Sequence, residues 1–160
     1  MRAKEYLNQV GVINAKLKVI DATVDKIRRE LYELDDISLS SVWGDGQPHS
    51  TVTSDPTGRK AVQLADKIDA RKDELKTKLV KLEYEQIAMR SQLWSKRMEI
   101  IEKLEGIVTD EPMSKVYYQI LIMRYVHGNS WEQIAVDIHY TIRHTWRLHG
   151  EALRRMEQLL

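Results

Sequence analysis

Between positions 139 and 155 the chain concentrates side chains suited to meeting an anion or a base edge. Arg143 and Arg147 stand one helical turn apart, among His139, His144 and His149 and ahead of Arg154 and Arg155. A guanidinium carries a planar fork of donors that matches guanine N7 and O6 or bridges a phosphate, so the first two arginines are candidate nucleic-acid contacts. The histidines invite a metal reading, which helix geometry removes. Each step of five residues rotates a side chain about 140° at 3.6 residues per turn, so the three cannot converge on one ion from one helix. The chain has no cysteine, which excludes disulfides, thiolate zinc sites and cysteine nucleophiles. No nucleophile–base pair and no phosphate-cradling glycine loop occurs. Gly44-Asp45-Gly46 lacks the spaced carboxylates of a calcium loop, and Asp35-Asp36 reads as a solvated helix end. The expectation is a protein without catalytic residues, metal or cofactor.

The arginines need a rigid carrier, and the surrounding sequence describes one. Ser130-Trp131-Glu132-Gln133 is a capping box that opens a short helix from Trp131 to about Asp137, with Ile134, Ala135 and Ile138 inward. A tight turn follows at His139-Tyr140, where histidine tolerates positive φ better than most residues. Thr141 then caps a final helix running to about Met156. A short helix, a brief turn and a longer basic helix predict a helix-turn-helix, in which Ala135 permits a close crossing. Thr145, Leu148, Ala152 and Met156 face the module's core, leaving Ile142, Arg143, Trp146 and Arg147 outside. Thr141, Ile142, Arg143, His144, Trp146, Arg147 and Arg154 form the candidate DNA-contacting set, with His144 and His149 as phosphate donors. Trp146 equally suits packing against the module's first helix. That helix starts after Thr109-Asp110-Glu111-Pro112, with Asp110 as cap, and carries Val116, Ile120, Leu121, Met123 and Tyr125 to a stop at His127-Gly128-Asn129.

Upstream of the module the pattern is that of long helices. In the first segment, from about Ala3 to Leu34, Ile13, Leu17, Ile20, Val24, Ile27, Leu31 and Leu34 follow spacings of 4, 3, 4, 3, 4 and 3. That average of 3.5 is the narrow stripe of a coiled-coil seam. Residues 35–57 break it with Gly44, Gly46, Pro48 and Pro56, which predicts a long loop whose Trp43 can tuck against a helix. Helix resumes near Gly58 and continues to about Ile107. Its seam is Ala61, Ala65, Ile68, Leu75, Leu79, Leu82, Met89, Leu93, Ile100 and Leu104, interrupted by Lys72, Gln86 and Lys96. The second helix is longer than the first, so part of its seam is left for another chain. The expected fold is all-α: a coiled-coil helical hairpin over 1–108, then the helix-turn-helix over 109–160, assembled as a homodimer or higher oligomer.

Charge supports this division of labour. Lys+Arg number 25 against 24 Asp+Glu, so the net charge is +1 and names no partner. Residues 1–111 hold 19 basic and 20 acidic residues, whereas 112–160 hold 6 and 4 with four of the five histidines. No run reaches 18 apolar residues and MRAKEYLNQV lacks a signal peptide's hydrophobic core, so no membrane association and a cytoplasmic location are expected.

The stretch ILIMRYVHGNSWEQIAVDIHYTIRHTWRLHGEALRRM resembles region 4 of sigma-70-type factors. It resembles still more the phage and prophage ArpU/RinA-like late transcriptional regulators of low-GC Gram-positive bacteria. The motifs concerned are MRY at 123–125, SWEQIA at 130–135 and RHTWRLHGEAL at 143–153; the N-terminal MRAKEYLNQV and the DKIDAR helix extend the likeness along the chain. The resemblance implies double-stranded DNA binding and control of phage late genes in a bacterial host cell. By the sigma likeness, Ile142 takes a place usually held by a polar residue, and either touches a thymine methyl or weakens base reading. Two other functions stand beside this one: a coiled-coil adaptor whose module binds host RNA polymerase or another protein, and a small terminase-like DNA-packaging protein.

Overall fold

A computed structural model describes residues 2–40 and 56–160. The chain is all-helical: α1 (Ala3–Ser40), α2 (Pro56–Glu105), α3 (Pro112–Leu121), a π-helical stretch (Ile122–His127), α4 (Trp131–Asp137) and α5 (Ile142–Glu157). Among the described residues there is no strand, and no helix is long and apolar enough to cross a membrane. Residues 35–40 and 56–57, expected in the loop, are helical, because no breaker precedes Ser40 and Pro56 is tolerated in a first helical turn. Trp43 and the Gly-Asp-Gly triplet lie outside the described residues.

The chain divides into two compact units, Val19–Ile87 and Met1–Lys18 with Ala88–Leu160, so the boundary expected at 108/109 falls inside the second. In Val19–Ile87, α1 and α2 pair antiparallel. Asp21 receives Gln86 Nε2, Arg28 meets Glu83 at 2.8 Å, Glu30 meets Arg71 at 2.8 Å and Asp35 meets Lys72 at 2.8 Å. The apolar seam holds as expected: Ile20, Val24, Ile27 and Leu75 are buried, with Leu31, Leu34, Ile68, Leu79 and Leu82 half-buried. Ala61 and Ala65 are exposed, since the described part of α1 does not extend far enough to cover them. Lys72 is buried at its stem, and its ammonium reaches Asp35. Asp35 and Asp36 are exposed near the end of α1, as expected of a solvated helix end, and Asp35 additionally pairs with Lys72. Its carboxyl is held below the usual range by the hydrogen bond and charge of Lys72.

The other unit has the larger core. Ala3, Tyr6, Leu7 and Val10 of α1 and Leu93, Ile100 and Leu104 of α2 join Ile107 and residues from every C-terminal helix in one apolar cluster. The buried positions 3, 6, 7 and 10 extend the α1 stripe by nearly three turns, at 3.6 residues per turn, N-terminal of where the strict 3.5 spacing begins. Tyr6 closes the rim: its hydroxyl donates to Glu99 at 2.7 Å, and Lys96 lies over its ring at 4.6 Å while pairing with Glu99 at 2.8 Å. Each polar interruption of the α2 seam, Lys72, Gln86 and Lys96, thus has an acidic partner in Asp35, Asp21 or Glu99. Leu104→Ala is expected to lower the unfolding free energy by about 2–5 kcal/mol through the cavity it leaves. Ala65→Gln, at an exposed site, is expected to change it by no more than about 0.5 kcal/mol. Urea unfolding followed by far-UV circular dichroism compares the two.

Candidate nucleic-acid interface

Helix α3 begins at Pro112 after Glu111, which takes the N-cap position with extended backbone and no side-chain cap. Asp110 therefore does not cap this helix. The buried hydroxyl of Ser114 organises the entry instead, accepting from the Thr109 N–H at 3.1 Å and donating toward the Glu111 carbonyl at 2.6 Å. Arg155 of α5 clamps the same turn, meeting Glu111 at 2.5 Å with its guanidinium 5.0 Å from the Tyr117 ring centre. Tyr117 in turn donates to Glu151 at 2.7 Å. The π-helical stretch inserts a wider turn before the chain reverses at Gly128, whose φ of 78° favours a residue without a Cβ.

Helix α4 opens with both arms of the expected capping box: the Gln133 N–H donates to Ser130 Oγ at 3.3 Å, and the Ser130 N–H donates to Gln133 Oε1 at 3.1 Å. Its far end is closed by His139 at φ 58°, as anticipated for that position. The His139 N–H donates to the Val136 carbonyl at 3.1 Å and the Tyr140 N–H to the Ala135 carbonyl at 2.9 Å, a Schellman closure. Thr141 then caps α5 by accepting from the His144 N–H at 3.3 Å. Ile134, Ala135 and Ile138 are buried on α4, and Thr145, Leu148, Ala152 and Met156 on α5. The turn therefore fixes which face of α5 is outward.

That face carries the candidate residues. Thr141, Arg143, His144 and Arg147 line one concavity at the start of α5. Arg147 Nη2 lies 3.2 Å from His144 Nδ1, and because a guanidinium only donates, that ring nitrogen accepts. Tyr140 stacks on His144 with centroids 4.8 Å apart and planes 23° from parallel. Sequence reasoning missed Tyr140, although its i,i+4 spacing from His144 across the cap was a usable signal. Ile142 is on the edge of exposure and Trp146 is 56% exposed, so the indole does not pack into the module's core. Arg154 is exposed farther along α5, its Nε donating to the Gly150 carbonyl at 3.4 Å, away from the concavity's lining. Val136, 71% exposed on α4, adds an apolar element that the sequence did not single out.

His149 departs from its expected role. It is half-buried, shares a 3.0 Å hydrogen bond with the Tyr125 hydroxyl and meets Trp131 edge-on at 4.9 Å. Arg124 covers the other ring of that pair, 4.7 Å from the Trp131 centroid, and donates to the Asn129 carbonyl at 3.0 Å. Four residues from three separate sequence motifs, Arg124, Tyr125, Trp131 and His149, thus build one packing cluster instead of a phosphate contact. Burial first, then the charges of Lys4 and Arg124, lower the His149 pKa to about 4. Among the described residues no group of three or more acidic or histidine side chains is placed to hold a metal ion.

Comparison with known proteins finds no match among family models, curated proteins or solved structures.

A histidine kept neutral by folding destabilises the fold in acid, because the unfolded chain binds the proton more readily. With a folded pKa of about 4 against an ordinary 6.5, stability contributed by neutral His149 is full above pH 6.5 and declines as pH falls toward 4. His149→Phe keeps an aromatic ring there and is expected to flatten that part of the stability–pH profile. An unchanged acid slope in urea titrations at successive pH values would place the dependence elsewhere.

Proposed function

We propose that the chain is a sequence-specific double-stranded DNA-binding transcription regulator, with α4 and α5 acting as a helix-turn-helix and α5 entering the major groove. The observation that carries this is the outward face at the start of α5. A capped, Schellman-closed α4 and a buried Thr145–Met156 stripe leave Arg143, Arg147, Thr141 and His144 together at one helix end. Recognition helices present their N-terminal half to base edges in this way. Arg143 is the better candidate for a base, since Arg147 is already engaged with His144 and suits a backbone phosphate instead. Thr141 and Tyr140 flank them as hydroxyl donors. The motif resemblance narrows the role to a phage or prophage late-gene regulator in a bacterial cytoplasm.

A second function is favoured by a different observation. Val136, Ile142 and Trp146 are exposed apolar side chains on the two helices of the same module. Such residues suit a protein partner, for which host RNA polymerase is the choice implied by the likeness to sigma factors.

The test is retention of fragmented genomic DNA from the source of the sequence by the purified chain, compared with an Arg143→Glu/Arg147→Glu variant. One enriched region, lost in the variant, with affinity falling steeply as salt rises, is the expected result. Replacing Arg147 alone by Gln is expected to shallow the log–log salt slope by about one and to weaken all sequences alike, as for a phosphate contact. A folded protein that enriches no DNA, or a double variant that binds as well as the parent, would overturn the proposal and leave the protein partner.

A further inference from the structure

We infer that the outward face of α5 reads thymine by its C5-methyl group, through Ile142 and Trp146, beside a guanine read by Arg143. Methyl reading rests on the proposal that α5 enters the major groove, and it names the bases met there. Four residues turn a helix through about 400°, so Ile142 and Trp146 lie within about 40° of each other, as do Arg143 and Arg147. The two rows stand about 100° apart. Helix α5 thus begins with an apolar row beside a basic one, and the apolar members are 37% and 56% exposed. Leu153, farther along the same side, is half-buried against the core. The apolar row is therefore open only over the N-terminal half of the helix, the half that a recognition helix presents to base edges.

Charge and chemistry favour the floor of a DNA groove over a protein as the occupant. The acids of α5 are Glu151, whose carboxylate accepts from the Tyr117 hydroxyl, and Glu157 in the last turn, so its first turns face a polyanion without repulsion. Val136 differs: on α4 it stands next to the exposed Asp137 and one turn from the exposed Glu132, and it is not assigned to the groove. Every base edge in the major groove offers donors or acceptors, and the one apolar group there is the thymine methyl. The base faces of a duplex are closed by stacking, which leaves that methyl as the contact for an indole. A polar base edge set against Ile142 would lose its water without gaining a hydrogen bond, so thymine is preferred. Ile142 and Trp146 are about 6 Å apart along the helix, so the methyls they reach lie within about two base-pair steps of 3.4 Å. Arg143 adjoins Ile142 and places its guanine among the same few pairs.

The test changes the DNA before it changes the protein. The full chain selects from two random-sequence duplex libraries, one containing thymine and one deoxyuracil in its place, which differ only in that methyl. The thymine library is expected to yield a motif in which one or two thymines lie beside a guanine. Replacing those thymines by deoxyuracil is expected to weaken binding roughly four-fold per methyl, as for the transfer of one buried carbon. Ile142→Ala/Trp146→Ala, at exposed positions, is expected to bind both forms of the motif alike, with unchanged helical circular dichroism. Arg143→Gln is expected to relax the guanine and keep the methyl dependence. A motif without thymine, or one bound equally well with deoxyuracil, overturns methyl reading and leaves DNA binding standing. A double-alanine variant as sensitive to deoxyuracil as the parent does the same. A folded chain that selects no motif from either library overturns DNA binding and methyl reading together, and leaves the apolar pair to a protein partner.

Discussion

A seven-residue helix has almost no stability of its own in water, because nucleation fixes several residues before propagation offsets the cost. Helix α4 is that short, and the turn after it holds a histidine in the left-handed region; both exist only through what they are packed against. Ile134 is fully buried in a cluster with Leu7 and Val10 of α1, Ile100 and Leu104 of α2, Ile120 and Leu121 of α3, and Leu148, Ala152 and Met156 of α5. The outward arginines are therefore positioned by residues from both ends of the chain. This explains why the first turns of α1, remote in sequence from the candidate interface, are among its least exposed residues. It also explains the loss expected from a single truncation such as Leu104→Ala, which would reach the face of α5 without touching it.

Polar chemistry on this scaffold is spent mainly on closure. Ser114, Ser130, Gln133 and Thr141 satisfy helix-end groups, while Arg155 with Glu111 and Tyr117 with Glu151 tie α5 to the start of α3. Arg124, Tyr125, Trp131 and His149 form a second tie, across the turn between the π-helical stretch and α4. The π-helical turn ends at Gly128, the one glycine with positive φ among the described residues. Once these are assigned, Ile142, Arg143, Trp146 and Glu157 remain as exposed side chains of α5, with Arg147 held by its neighbour His144 and Arg154 by the Gly150 carbonyl. The face proposed to meet DNA is the part of this remainder that lies at the start of α5.

Much of this was readable in the sequence. Capping residues act locally, so Ser130-Gln133 and Thr141 marked their helix starts to the residue, and the amphipathic stripe of α5 identified its buried face. The α1–α2 seam was legible because its period is regular over many turns. What was misread depended on long-range contact. Asp35 is as exposed as a solvated terminus should be, but its partner Lys72, far along the chain, was not foreseen. His149 looked like a phosphate donor because its motif is basic, yet tertiary packing turned it inward. The N-terminal turn of α1 was undervalued since its partners lie across the chain.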